Sequence, residues 1–241
     1  MRQTIRAQIN FFGPYIKKED ILKILDPKAK GTLYDIGPLY DLERNQLELF
    51  FDLPSVAISK EILKRYIEAT EESHIAIVPH TEEIFERLLR PLKSAKKNYC
   101  LGDYSSTIAS CGIVGEMLAI LIWKMNAIKL RGQQMTEKDE IGLFGRSFER
   151  LGQERKLDIL ITFGQINEIQ YNNLNTIRNN RRPYLHWWSA NLKNEKKDAL
   201  DTLKKSFQLF KEVTDIGLAD AGTVKVSHLL LKFLNSQKVN S

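Results

Sequence analysis

Cysteine is nearly absent: the 241 residues contain only Cys100 and Cys111. Eleven positions apart and outside any CxxC, they argue against a disulfide framework or a cysteine-built zinc site and suit a reducing cytoplasm. Histidine is scarce as well. His74 and His80 flank a strand-like stretch and His228 sits in a C-terminal helical pattern, none at HExxH spacing, so neither a metal nor another cofactor is expected. No uninterrupted apolar run approaches the ~18 residues of a membrane span. The best, Ile113 to Ile122, is broken by Gly115 and Glu116, and the N-terminal MRQTIRAQ lacks a signal-peptide core, so secretion and membrane insertion are not expected. Phosphate loops of GxGxxG or GxxxxGK[ST] form are missing too. Gly142-Leu143-Phe144-Gly145 matches an RNA-clamping GxxG only in spacing and reads as linker.

What is present suffices for a folded chain, since 43% hydrophobic and 27% charged residues allow a sizeable core. The net charge of +6 is regional. Residues 1–80 carry 11 basic and 12 acidic side chains, whereas residues 81–241 carry 25 and 18. Residues 176–205 hold eight cations (Arg178, Arg181, Arg182, Lys193, Lys196, Lys197, Lys204, Lys205) against Glu195, Asp198 and Asp201. Such a surface attracts a polyanion such as RNA, or is an ordinary solvated helix face.

Five of the seven prolines fall before residue 80, which reads as a small α/β or β-rich appendage. Gln46–Asp52 and Ser73–Val78 have strand-like patterns, and Lys60–Glu72 has helical spacing. Thr81, followed by Glu82 and Glu83, marks a helix start and a boundary between residues 1–80 and 81–241. Beyond it the spacing predicts a mainly α bundle. A helix over 81–101, kinked at Pro91, turns at Gly102-Asp103 into a second over 104–129 that is apolar on nearly all sides, as a central helix would be. Its Ser, Ala and Gly positions allow a neighbouring helix to come close, and Cys100 and Cys111 read as core residues. A polar linker over 131–145 follows. Further helices are expected over 155–163, 166–182 (interrupted by Pro183), 194–215 and 224–234, the last ending in a frayed polar tail.

The densest run of functional groups is Asn175 to Trp188, NTIRNNRRPYLHWW. Histidine titrates near neutrality and can take a proton from a ribose 2′-OH or return one to a leaving oxygen. Guanidinium binds phosphate bidentately and stabilises its developing charge. Arg181 and His186, with Arg178 and Arg182 alongside, are therefore the parts of a metal-free ribonuclease site; their plain alternative is a capping histidine among solvated arginines. Trp187 and Trp188 stack on bases or pack into a core or dimer surface. Glu116, ionised in an apolar helix, needs a partner, so it pairs with an arginine or lines the cleft, orienting a motif arginine or making an ion pair or polar contact that fixes helix register.

Arg181-Arg182-Pro183-Tyr184-Leu185-His186 matches the four-residue form of the R-x(4–6)-H motif. Together with the hairpin KNYCLGDYSSTIASCGIVGEML, the basic helix FERLGQERKLDIL and the run LNTIRNNRRPYLH, it resembles the HEPN superfamily over about residues 85–215. The resemblance implies a HEPN-like helical bundle, a homodimer whose two motifs share a cleft, and RNase activity, often in toxins or defence effectors with an antitoxin or other protein partner. On it, Arg181 binds the scissile phosphate and His186 serves in acid–base chemistry, with Arg178, Asn179, Arg182 and Tyr184 as RNA or phosphate contacts. Arg182 stands where the family usually has Asn, Asp or His, and Trp188 where some members carry a tyrosine that an antitoxin modifies. The rival reading is a non-catalytic module that binds nucleic acid, nucleotide or a protein through the same surface.

Overall fold

A computed structural model describes residues 7–11, 41–70, 75–79, 83–130, 132–185, 192–215, 217–218, 224–225 and 227–239. The fold is mainly α. Near its start, strand β1 (Ala7–Phe11) is followed by helices α1 (Asp41–Phe51) and α2 (Lys60–Glu68) and by strand β2 (Ile75–Pro79), which pairs antiparallel with β1 from Ala7↔Pro79 to Phe11↔Ile75.

Helix α1 corrects the strand expected over Gln46–Asp52. A strand would place Leu47, Leu49 and Phe51 on one face, but in the helix Leu47 and Phe51 are buried four residues apart and Leu49 is 84% exposed. Alternation over so short a window fits either period. After α1, Glu48 accepts from the backbone N–H of Ser55 at 2.7 Å and from its hydroxyl, and Ser59 caps α2 by accepting from Ile62 N–H. Leu47, Phe51, Ile58, Ile62, Leu63 and Tyr66 form a small core together with Cys100.

Cys100 belongs to α3 (Glu83–Leu101), which is continuous through Pro91; Thr81, expected as its cap, lies outside the described residues. The turn into α4 (Tyr104–Met125) uses Gly102 at φ +89°, a conformation that costs glycine little, and Asp103, whose carboxylate accepts from Ser106 N–H. By length and composition α4 could cross a membrane, yet 56% of its most apolar stretch is buried among neighbouring helices. Twelve of its residues are buried, from Thr107 to Met125, and they form the middle of the main core.

The second helix, expected over 104–129, ends at Met125, and β3 (Lys129–Leu130) pairs with β4 (Gln133–Gln134) in a two-stranded ribbon. The expected linker over 131–145 contains α5 (Glu137–Phe144), started by a reciprocal capping box between Thr136 and Asp139 and ended by Gly145 at φ +79°. No α5 residue is fully buried; Phe144 packs edge-on against Trp123 and Phe163, and Glu140 adds hydrogen bonds. Its two carboxylate oxygens accept from Trp123 Nε1 at 2.6 Å and from Phe148 N–H at 2.8 Å, and Trp123 stacks on Phe148.

Then come α6 (Gln153–Thr162), α7 (Glu168–Leu185), α8 (Glu195–Thr214), a ribbon of β5 (Gly217–Leu218) with β6 (Val224–Lys225), and α9 (His228–Val239). Helix α7 runs through Pro183 instead of stopping there. Proline removes only the bond to Asn179 in the last turn, and that turn is tied to α8 by Tyr184–Asp198 and Asn180–Thr202 hydrogen bonds at 2.9 Å each. The last helix starts at His228 and includes residues 236–239 of the tail expected to fray.

Four helices carry the bundle. Thr107 meets Ala95, Arg181 and Ile177 meet Gly112 and Gly115, and Asn180 and Tyr184 meet Thr202 and Asp198, so α3/α4, α4/α7 and α7/α8 are antiparallel neighbours. Helix α4 stands at the centre, and α6 and α7 pack beside it where the candidate site forms.

Candidate functional site

Glycine on the central helix opens the site. A Cβ built on Gly112 would sit 2.2 Å from Arg181 Cδ, and one on Gly115 would lie 3.1 Å from Ile177 Cγ2. The two glycines, one helical turn apart, leave a groove into which α7 settles, so the Arg181 side chain crosses the backbone of α4. Any side chain at 112 would take that space.

Next to the groove, Glu116 receives two cations. Its Oε1 accepts from Lys156 Nζ at 2.8 Å, and its Oε2 lies 3.7 Å from an Arg181 terminal nitrogen. The two contacts differ in kind. Lys156 is 0% exposed, and a fully buried ammonium costs several kcal/mol unless it keeps a carboxylate. Arg181 is 27% exposed, sits beyond hydrogen-bond distance and has a buried Nε without a partner. The guanidinium thus has donors to spare.

The rest of the arginine-rich helix points three ways. Arg178 turns to α6, pairing with Glu154 at 3.0 Å and donating to Asn175 Oδ1 through Nε and a terminal nitrogen. Tyr184 turns to α8, where its hydroxyl donates to Asp198; burial, with the Asp198 carboxylate, raises its phenol above the ordinary range. Asn179 and Arg182 face solvent, as do Lys193, Lys196 and Lys197 at the start of α8. His186 directly follows the last residue of α7 and lies, with Trp187 and Trp188, outside the described residues.

The structure therefore brings Glu116 and Arg181 together and directs Arg178 and Tyr184 to other helices. Sequence reasoning passed over Lys156, the buried member of the group. Its signal was its phase: Lys156 falls in register with Ile159 and Leu160, on the buried face of α6 where a lysine needs an acid. Glu154 and Asp198, which hold Arg178 and Tyr184, gave no comparable signal.

Chemically, the site offers positive charge on a rigid frame. Both thiols are outside it and inert, since burial pushes Cys100 and Cys111 up to about 12. Among the described residues no group of three or more His, Cys, Asp or Glu side chains stands together to hold a metal ion. No family model, curated protein or solved structure matches this chain.

Proposed function

We propose that this chain is a HEPN-like, metal-independent endoribonuclease, working as a homodimer in the cytoplasm and acting as a toxin or defence effector. The observation that carries the reading is Arg181: it is seated on Gly112, partly exposed, loosely paired, and placed one residue beyond the last turn-spacing from His186 in the chain. Arg182 and Lys197 add exposed positive charge near the ends of α7 and α8 that would draw in an RNA backbone, whereas Lys196 there is paired with Glu68 at 2.9 Å. In this reaction Arg181 binds the scissile phosphate and offsets its developing charge. His186 assists attack of the 2′-OH on that phosphate, leaving a cyclic phosphate and a 5′-hydroxyl.

The test is incubation of purified protein with total RNA in EDTA, wild type beside His186→Ala and Arg181→Ala, with end-group analysis. Cyclic-phosphate ends that need both residues are expected. Equal cleavage by wild type and His186→Ala would sink the assignment.

A second reading is favoured by the carboxylates already on the arginines, Glu154 on Arg178 and Glu116 on Arg181. In it the module binds nucleic acid, nucleotide or a protein partner without cleaving. Salt-dependent RNA binding with no new ends is its signature.

A further inference from the structure

We infer that Glu116 is a built-in stand-in for the substrate phosphate: it occupies Arg181 in the resting protein and gives it up when RNA binds, while Lys156 keeps the carboxylate in place. The inference rests on the RNA reading of Arg181 and adds to it a competitor inside the site.

The asymmetry of the two contacts carries the argument. Lys156 Nζ, 0% exposed and 2.8 Å from Oε1, cannot release Glu116 without leaving an uncompensated buried charge. Arg181 is under no such constraint. Its contact with Oε2 is 3.7 Å, its side chain reaches solvent, and its Nε has no acceptor. A phosphodiester presents two oxygens to the guanidinium fork, shorter and better aligned than the single distant Oε2. When phosphate takes Arg181, Glu116 stays on Lys156 and no buried charge is orphaned.

Gly112 makes the exchange local. The arginine stem lies against glycine backbone, too close to leave room for a Cβ, so its path across α4 is set by the groove while the guanidinium changes partner. Lys156 is thus a positioning residue, acting through Glu116.

The probe is a fluorescent 2′-O-methyl oligoribonucleotide, which lacks the attacking hydroxyl, with binding followed by anisotropy. Glu116→Gln should bind about fivefold more tightly than wild type, the size expected for releasing one partly exposed, coupled charge pair. Arg181→Ala should weaken binding, and in that background Glu116→Gln should change nothing. Because Glu116→Gln strips the buried ammonium of its counter-charge, the double variant Lys156→Met/Glu116→Gln, which buries no net charge, should show the same tightening. Unchanged or weaker binding by both Glu116 variants, with the Arg181 dependence intact, overturns the stand-in and leaves the RNA reading standing. Tightening that persists without Arg181 also overturns it, as a general charge effect. Binding that is absent, or indifferent to Arg181→Ala, overturns both.

Discussion

Replacing Lys96 by methionine should stabilise this protein at neutral pH and remove one step from its pH dependence. Lys96 lies on α3, is 2% exposed, and has its ammonium 4.2 Å from the centre of the Tyr66 ring. Burial pushes its pKa down from 10.5 to about 8, with the nearby Cys100 acting in the opposite direction. The folded state therefore binds fewer protons than the unfolded state between pH 8 and 10.5. Stability attributable to Lys96 rises with pH through that window, and below pH 8 the whole cost is present. A fall from 10.5 to about 8 corresponds to about 3 kcal/mol. The ring contact offsets about 1 kcal/mol of it, so Lys96→Met should gain roughly 2 kcal/mol at pH 6–7. Urea unfolding of both proteins at pH 6, 7, 8 and 9 reads this directly. Above pH 9 the raised thiols and Tyr66 pull stability the other way, since the unfolded chain ionises them first. The expected result is a difference that is constant up to about pH 7.5 and shrinks by pH 9. A variant less stable than wild type at pH 6, or a difference that ignores pH, would refute the reasoning.

Three further outcomes follow from individual contacts. Gly112→Ala should leave unfolding free energy within about 1 kcal/mol, because helix propensity gains what the crowded Arg181 stem loses, yet it should reduce RNA binding by displacing that arginine; unchanged binding would separate Arg181 from RNA. Glu140→Ala should raise amide hydrogen exchange across α5 and cost about 1–3 kcal/mol, as Trp123 Nε1 and Phe148 N–H lose their acceptor; protected α5 amides would show that another contact anchors it. Cys100 and Cys111 should stay unreactive to a thiol reagent at pH 8 until the protein unfolds, and fast labelling of the native protein would contradict their burial.

The amino-acid sequence determined most of the bundle by itself. Apolar residues on nearly all sides from Thr107 to Met125 have only one stable place in a small fold, the middle, and Gly102-Asp103 is turn and cap chemistry readable from two residues. It also pointed to a partner for Glu116, a lone carboxylate in an apolar run, although the charge that most needs the pair is the fully buried Lys156, Glu116 itself being 39% exposed. Tertiary structure decided the rest. Gln46–Asp52 alternates like a strand, yet burial of Leu47 and Phe51 against Tyr66 and Cys100 selects the helix, an outcome set by residues distant in the chain. Pro183 would end an isolated helix, but hydrogen bonds to Asp198 and Thr202 on α8 hold the last turn of α7. Glu137–Phe144 was legible in its capping box but too short and polar to stand out from a linker. The identity of Glu116's partners was beyond any local pattern, since Lys156 is 40 residues away and Arg181 farther still. Periodicity tells which face of a helix is buried; only packing tells which charge on one helix meets which charge on another.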